Sequence, residues 1–367
     1  MTCIKQNLSI IMSLLFPCII LAFAINAPSL AQRVWPSETY VVLDMTQKPV
    51  YLKQPVNKGM VFAPVADHFI TVDNSGAHLL ALAKYIKQEM ARTLFGKIFP
   101  DLLYTKEAFT IQMTEPLGVE QTLLLKPDII LLYDYHAKLF ETIGFDGAAR
   151  ITSIRSHEKE MFTMLGSLTG QTQRVEFLYR RRDAVLEKLF NDIDFEKPPV
   201  TTITLSHAHL HLFPSLFENF NTNLKQCNAV NLAENVLAPR AGINIEILLQ
   251  LNPDVIFLYD YRNSLTVNDI YNNKALTGLT AVQNRRVYRM PAGVARMTGP
   301  MEEPLLFVWM VPLMYPELEQ IIPVRWFIKN TYLEVFGYIP TESEVDTILN
   351  MQENALSANY DKYKHKH

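Results

Sequence analysis

The sequence predicts an α/β fold of two lobes, each with a mainly parallel sheet flanked by helices, joined by one long spine helix. The first observation is a segment that occurs twice. Residues 119–135 (VEQTLLLKPDIILLYDY) and residues 245–261 (IEILLQLNPDVIFLYDY) are identical at ten of seventeen positions. Each copy has helical apolar spacing, a break at Pro127 or Pro253, and then a continuous apolar run, which is typical of a strand buried in a parallel sheet. A repeat of this length indicates two similar lobes with a ligand cleft between them.

The second observation is a long amphipathic pattern over residues 171–193, which predicts a helix of about 34 Å that ends before Pro198. A helix of this length can connect two lobes. We therefore expect a signal peptide at 1–31, a first lobe at 32–165, the spine helix at 166–197, a second lobe at 198–320, and a C-terminal helical segment and tail at 321–367.

Local patterns predict the other elements in order. In the first lobe we expect strands at residues 39–44 and 50–52, a buried strand at 59–65, a helix at 78–89 and a strand at 149–154. The second lobe begins with residues 199–206 (PVTTITLS), whose density of β-branched residues is typical of a strand.

Composition limits the class of protein. A chain of 367 residues that is 49% hydrophobic can bury two cores, and a formal charge of −3 without a basic stripe argues against nucleic acid as a partner. Once a signal peptide is removed, Cys227 is the cysteine that remains, so we expect a small buried thiol rather than a disulfide framework. The chain has no recognisable nucleophile motif, phosphate loop or zinc-protease motif, which favours a protein that is not an enzyme.

The amino terminus has the pattern of an exported protein. Lys5 precedes the apolar residues 8–24, and Ser29-Leu30-Ala31 offers small residues for a signal peptidase, so the mature chain would begin at Gln32 in the periplasm. The alternative is an uncleaved membrane anchor, since seventeen helical residues span about 26 Å, just short of the roughly 30 Å hydrocarbon core.

Three histidines, His207, His209 and His211, follow the predicted strand that opens the second lobe. Alternating positions on an extended chain share one face, so we expect the three imidazoles to point together. Neutral imidazole is a common ligand of transition metals, which makes these residues candidate metal ligands, most readily through a bound chelate. The alternative is that one or two rings cap backbone groups at the strand end.

Other candidate ligand contacts lie just after the carboxyl ends of the predicted strands. Ligands of α/β proteins gather beyond the carboxyl ends of strands. Tyrosine offers a flat apolar face with a hydroxyl group, and arginine offers a planar fork for anionic oxygens. The polar and aromatic residues at such positions are His68, Tyr133, Tyr135, His207, His209, Tyr259, Tyr261 and Arg262. For the tyrosines the alternative is core packing at strand ends.

Several segments, in order and spacing, resemble the substrate-binding proteins of ABC importers for iron-siderophore complexes, haem, cobalamin and related metal chelates. The resemblance covers roughly residues 38 to 350. The segments that carry it are the two Leu-x-Pro-Asp units, 165–170 (LGSLTG), 276–291 (LTGLTAVQNRRVYRMP), 296–304 (RMTGPMEEP) and 312–317 (PLMYPE).

The resemblance implies a monomeric, non-enzymatic binding protein without an intrinsic cofactor, which delivers a metal chelate to an ABC permease dimer with its ATPase. It also implies a stiff spine helix with small hinge motion, and it adds Arg296 to the candidate ligand contacts. The ligand itself stays open, because a ferric siderophore, a nickel-histidine chelate, haem and cobalamin all suit a cleft of Arg, Tyr and His.

Glu120 and Glu246 occupy the same place in the two repeats, each in the expected first turn of a helix. The resemblance implies that they dock into arginine pockets of the permease. The alternative is that each carboxylate complements the helix macrodipole, which stabilises the helix by about 0.3 to 1 kcal/mol.

A second function class also remains: a periplasmic metal-binding enzyme or metallochaperone that uses His207, His209 and His211.

Overall fold

A computed structural model provides the structure of the protein. It describes residues 40–61, 65–83, 87–88, 90, 93–109, 123–134, 144–145, 147–151, 157–191, 197–206, 211–212, 218–234, 243–259, 265–294, 299, 301–318 and 322–365. The strands are β1 (Tyr40–Leu43), β2 (Pro49–Leu52), β3 (Gly59–Val61), β4 (Leu79–Ala83), β5 (Lys106–Phe109), β6 (Ile129–Tyr133), β7 (Ala148–Ile151), β8 (Val200–Ser206), β9 (His211–Leu212), β10 (Ala229–Asn231), β11 (Val255–Leu258) and β12 (Val287–Arg289).

Helices cover and connect these strands. They are α1 (Ala66–Asp73), α2 (Leu94–Ile98), α3 (Glu158–Thr169), α4 (Thr172–Asn191), α5 (Glu218–Gln226), α6 (Ile245–Leu251), α7 (Val267–Asn272), α8 (Thr280–Gln283), α9 (Glu303–Met314), α10 (Val324–Phe336) and α11 (Glu342–Ile348), with 3₁₀ turns at Pro100–Tyr104, Lys274–Leu276 and Tyr360–Tyr363. Among the described residues, no helix is both long enough and apolar enough to span a membrane.

The two repeated segments supply equivalent strands of two separate sheets. The first sheet has the order β5-β4-β3-β6-β7 and is parallel throughout. In the second sheet, β10-β8-β11-β12 are parallel, and β9 pairs with β8. The repeated strand β6 lies between β3 and β7, and its counterpart β11 lies between β8 and β12. Residues Ile129 to Leu132 and Val255 to Leu258 are buried, as expected for strands covered on both faces. The predicted α/β fold with two mainly parallel sheets is confirmed.

The predicted spine helix is also present. Helix α4 has 20 residues and lies in the chain between the last strand of the first sheet and the first strand of the second. Helix α10 contacts it through two arginine side chains: Arg174 donates to the carbonyl of Val335, and Arg181 pairs with Glu334. The same helix reaches the first lobe, where the ring of Phe336 lies 6.2 Å from that of Phe95. The predicted C-terminal segment is thus packed against the spine and the first lobe, while the exact domain boundaries stay a prediction.

One local prediction in the first lobe was wrong. Residues 78–89 were expected to be helical, but Leu79 to Ala83 form the parallel strand β4, with Ala81 and Leu82 fully buried in the sheet. Leucine and alanine favour helices in isolation, and burial between two neighbouring strands overrides that preference. The strand expected at 59–65 is present at Gly59–Val61, and residues 62–64 lie outside the described residues. Cys227 is a buried free thiol, as predicted.

The C-terminal tail completes the edge of the second sheet. The side chain of Asn354 accepts a hydrogen bond from the backbone N–H of Arg289 at 2.6 Å and donates to its carbonyl at 2.9 Å, so it pairs with β12 as a neighbouring strand would. Tyr360 stacks on Tyr288, with ring centroids 6.1 Å apart, and accepts a hydrogen bond from Trp309. The tail is therefore part of the core of the second lobe.

Candidate functional site

Each sheet presents a tyrosine at its carboxyl edge. Tyr133 is the last residue of β6, and Tyr259 directly follows β11, where its N–H donates to the carbonyl of Leu205 at 2.8 Å. The two residues occupy the same position in the repeated segment, and both are half-buried. The repeat therefore places matching aromatic side chains at the ends of the two sheets where ligands of α/β proteins gather.

His68 lies in the first turn of α1, after the carboxyl end of β3, and its side chain is buried. Its Nδ1 is 2.8 Å from Oδ1 of Asp67, and its ring meets that of Phe162 edge-on, with centroids 5.5 Å apart. The Nε2 atom is also buried, and within the described residues it has no hydrogen-bond partner. One ring nitrogen is thus held in place, while the other is left for a further contact.

His68 lines a small cavity at which the two halves of the chain meet. The cavity has a volume of about 10 Å³, close to the minimum for one water molecule. Its walls come from the first half and from the C-terminal segments: Asp67, His68, Thr71, Phe162, Gly299, Met301, Glu302 and Phe336. A site of this size accepts one oxygen-sized group and not a whole chelate.

Buried acidic groups surround this histidine. Burial raises the pKa of Glu158, on α3, to about 8, despite the opposing attraction of His68. Burial acts against the charge on His68, but attraction to Asp67, the hydrogen bond to Asp67 and attraction to Glu158 together raise the His68 pKa. Beyond Glu158, Arg182 on α4 pairs with Glu303 at the start of α9. Through Arg182, the spine helix α4 thus contacts Glu303 of the second half of the chain close to the buried Glu158 of the first half.

The structure describes one of the three clustered histidines of the second lobe, His211. Strand β8 ends at Ser206, and β9 runs antiparallel to it, with Ser206 paired to His211. His207 and His209 lie outside the described residues. The expectation that the three imidazoles share one face therefore stays a prediction. In the part of the chain that the structure describes, no three His, Cys, Asp or Glu side chains form a group that could hold a metal ion.

Of the other candidate residues, Glu246 is described. It is exposed in the first turn of α6, a helix whose N-cap Asn244 accepts a hydrogen bond from the N–H of Ile247 at 2.9 Å. This placement suits both the macrodipole interpretation and docking. The remaining candidates, Glu120, Tyr135, Tyr261, Arg262 and Arg296, lie outside the described residues.

The buried acids Glu158, Glu302 and Glu303 were not predicted from the sequence. Glu302 is the N-cap of α9 and Glu303 is its first residue, and the residues that follow in α9 are all apolar. Acidic residues at the start of such a helix are a signal that the sequence does carry. Glu158 carries no such signal, because it starts an ordinary amphipathic helix and its burial depends on contacts with other elements.

Known proteins share this architecture. A periplasmic solute-binding protein from Veillonella parvula is similar with a TM-score of 0.74 and 23% identity, covering 87% of this chain and 99% of that one. The molybdate periplasmic binding protein MolA of Haemophilus influenzae has a TM-score of 0.68 and 16% identity, with 82% and 99% covered. CeuE of Helicobacter pylori, in complex with Ni-His, has a TM-score of 0.63 and 17% identity, with 85% and 99% covered.

At these identities the solved structures show the fold. A search of curated protein sequences finds no match. The model of a family described as periplasmic binding protein matches residues 110–294, which is just over half of the chain and includes both repeated segments. The family and the similar structures are binding proteins, so the expectation that this chain is not an enzyme is confirmed. The chain belongs to the periplasmic binding protein family.

Proposed function

We propose that the protein captures an iron-siderophore complex or a related metal chelate between its two lobes and delivers it to an ABC permease dimer with its ATPase. Family membership implies a location outside the cytoplasm. The observation that carries the proposal is the pair Tyr133 and Tyr259, which stand at equivalent carboxyl ends of the two sheets. We expect a ligand held between the sheets to contact both tyrosines.

The ligand class is supported by the site and by similar proteins. Structures that share the fold are named for binding molybdate, Ni-His and haem, all of which contain a metal. Tyrosine faces, imidazole and the arginine fork suit the rim and the anionic oxygens of a chelate. The proposed contacts are His68, Tyr133 and Tyr259, together with Tyr135, His207, His209, Tyr261, Arg262 and Arg296 from outside the described residues. The metal would arrive inside the chelate, so the protein needs no cofactor of its own.

Native mass spectrometry of protein purified from the extracytoplasmic fraction tests the proposal. We expect one metal chelate to co-purify at one per chain. Tryptophan-fluorescence titration with a ferric siderophore, the nickel-histidine complex, haem and cobalamin would then rank the candidates, with Zn²⁺ alone as the bare-metal control. Tight stoichiometric binding of Zn²⁺ with no binding of any chelate would instead support a metallochaperone.

A further inference from the structure

The strands β1 and β2 form a two-stranded antiparallel ribbon with one exposed apolar face. Val41 lies opposite Tyr51, and Leu43 lies opposite Pro49. Directly opposite residues of an antiparallel pair point to the same side of the sheet, so these four side chains share one face. All four are exposed, Leu43 by 52% and Tyr51 by 58%. These four residues are called the ribbon face.

The ribbon is fixed to the first lobe by its opposite side and by its tip. Val42 and Val50 are buried among the core residues. At the tip, Oδ1 of Asp44 accepts a hydrogen bond from the N–H of Lys48 at 3.0 Å. The other oxygen, Oδ2, accepts a hydrogen bond from the guanidinium group of Arg150 at 3.0 Å. The ribbon face is therefore a preformed surface.

The exposed charges beside the ribbon face are basic. The structure describes all of residues 40–61, and within them the exposed charged residues are Lys48, Lys53 and Lys58. The one acid of this range, Asp44, is buried. The whole chain, by contrast, has a formal charge of −3. A local positive charge next to an apolar face attracts an anionic surface.

The ribbon face is small for a protein partner. A specific protein–protein interface takes about 20 to 30 residues from each side, whereas this face has four side chains. A lipid bilayer has no such requirement, because the energy of shallow insertion scales with the apolar area that is buried. Tyrosine is also enriched at the level of the lipid headgroups. A membrane surface therefore suits the ribbon face better than a second copy of the chain does.

The sequence before the ribbon also leads to a membrane. Fifteen residues, 25–39, separate the apolar segment 8–24 from Tyr40, the first residue of β1. A flexible chain of this length spans about 20 Å on average and at most about 50 Å. In a chain whose segment 8–24 stays in the bilayer, the ribbon is thus held close to the membrane surface.

We propose that the ribbon face, together with the lysines beside it, is a contact site for the anionic outer surface of the cytoplasmic membrane. The four apolar side chains enter the headgroup layer, and the lysines lie against lipid phosphates. A protein held there meets a membrane partner by diffusion along a surface. The contact does not depend on which ligand the protein captures.

Fluorescence quenching tests the proposal. The protein is purified as cells export it and mixed with vesicles of phosphatidylcholine and phosphatidylglycerol, at a ratio of about 3:1, whose acyl chains carry bromine. We expect the added fluorescence of Tyr51→Trp to be quenched by these vesicles. Ile339→Trp is the matched control, because Ile339 is exposed by 59% but lies after α10, outside the ribbon. Its added fluorescence should stay unquenched.

The apolar contribution is measured in the Tyr51→Trp protein. We expect Val41→Ser with Leu43→Ser to raise the lipid concentration for half-maximal quenching about tenfold, since less apolar area enters the bilayer. Leu333→Ser with Leu356→Ser is the control, because these leucines are exposed to a similar extent on the C-terminal segment. Far-UV circular dichroism checks that each variant folds.

The lysines are tested without any change to the apolar face. In the Tyr51→Trp protein, Lys53→Gln with Lys58→Gln should weaken quenching by the anionic vesicles about fivefold for each lysine at low salt. With vesicles of phosphatidylcholine alone, the same variant should match its parent. Lys274→Gln with Lys364→Gln removes the same charge from exposed positions of the second lobe and the tail, and it should change neither result.

Three results would overturn the proposal. Equal quenching at positions 51 and 339 would show that the ribbon face does not enter the bilayer. Equal effects of the two lysine pairs would show that net charge, and not the ribbon, attracts the vesicles. A protein that sediments as a dimer, and that Val41→Ser with Leu43→Ser converts to a monomer, would assign the ribbon face to a second copy of the chain.

Discussion

Asp128 and Asp254 make the same contact in the two sheets: each carboxylate accepts hydrogen bonds at the start of the neighbouring strand. Oδ2 of Asp128 accepts the N–H groups of Asn57 and Lys58, just before β3, at 3.0 Å each. Oδ2 of Asp254 accepts the N–H of Thr201, in β8, at 2.9 Å and its hydroxyl at 2.7 Å. The aspartate of each Leu-x-Pro-Asp unit therefore fixes the stagger between two parallel strands, which is a structural role.

Replacement of these aspartates should cost stability unequally. The partners of Asp128 are exposed and can bond to water instead, so we expect Asp128→Ala to lower the free energy of unfolding by about 1 kcal/mol and Asp254→Ala by about 2 kcal/mol. The two carboxylates bind different strands in separate sheets and share no partner, so the double variant should show the sum. Urea unfolding measures each value, with the exposed Asp101→Ala as control. Equal, negligible losses at both sites would show that the strand stagger does not depend on these carboxylates.

The repeated segment explains why so much of the fold could be predicted. The repeat gave the central strand of each sheet, the turn before it and the tyrosine after it, because these features depend on local periodicity and on proline. The strand β4 was missed because its leucines and alanines carry a helical preference that only the neighbouring strands override. Local signals of this kind cannot show which neighbours a segment will have.

The candidate site was less predictable for a similar reason. His68 could be found from its place after a strand, but Glu158 and Glu302 reach it from segments distant in the chain. The face expected for His207, His209 and His211 stays a prediction, since His207 and His209 lie outside the described residues. Contacts between distant segments, and the point at which a strand ends, are set by tertiary packing.

Gly293 packs directly against the buried carboxylate of Glu302. A Cβ atom at Gly293 would lie 2.3 Å from Oε1 of Glu302 and 2.7 Å from its Cδ. That same Oε1 accepts hydrogen bonds from the N–H of Val294 at 2.8 Å and from the hydroxyl of Tyr332 at 2.7 Å, so the carboxylate is not free to move aside. The chain after β12 is thereby tied to α10.

We expect Gly293→Ala to lower the free energy of unfolding by about 2 to 3 kcal/mol, because the added methyl group displaces Glu302 from both hydrogen bonds. Gly278→Ala is the matched control, since a Cβ at Gly278 meets no atom within 4 Å. Thermal and urea unfolding of the two variants would be compared. A Gly293→Ala protein as stable as the control would mean that Glu302 and its partners rearrange without cost.

The raised pKa of Glu158 makes stability depend on pH. The unfolded carboxyl has a pKa of about 4.5 and the folded one about 8. Below pH 4 both states carry the proton. Between about pH 4.5 and 8 the unfolded chain releases it while the folded protein retains it, so stability falls as pH rises. His68, whose folded pKa is also raised, contributes stability at low pH that is likewise lost as pH rises through that pKa.

Glu158→Gln keeps the neutral form at every pH. We therefore expect this variant to match the wild type near pH 4 and to be more stable by on the order of 2 kcal/mol at pH 8. Glu160→Gln, on the exposed face of the same helix α3, should follow the wild type throughout. Urea unfolding at several pH values measures the difference. A constant offset between Glu158→Gln and the wild type from pH 4 to 8 would show that the carboxyl is not protonated in the folded protein.

Closure on a ligand should be small. Helix α4 is continuous over 20 residues, and α10 is fixed along it by Arg174 and Arg181. Bending this pair of helices would break hydrogen bonds that the chain cannot easily replace. Small-angle X-ray scattering of the free protein and of the loaded protein should therefore give nearly the same radius of gyration. A large fall on loading would show that the two lobes are joined by a flexible hinge.

A test of docking to a permease distinguishes a transport protein from one that only binds its ligand. Glu246 is exposed on the first turn of α6, and Glu120 is aligned with it in the repeated sequence segment. We expect Glu120→Ala with Glu246→Ala to bind the chelate normally but to fail to stimulate uptake or ATP hydrolysis in vesicles that contain the permease. Rim charges of this kind mainly set the association rate and its salt dependence, with a few kcal/mol lost when both partners are left unpaired.

The control for this pair is Glu160→Ala with Glu187→Ala, which removes the same charge from exposed positions on α3 and α4. Both double variants lose two negative charges, so a difference between them reports position and not net charge. A modest loss of stability in the Glu120 and Glu246 variant is expected from the macrodipole alone. If its uptake is normal, the macrodipole explanation is sufficient, and the two glutamates are a trace of the repeated segment without a role at the permease.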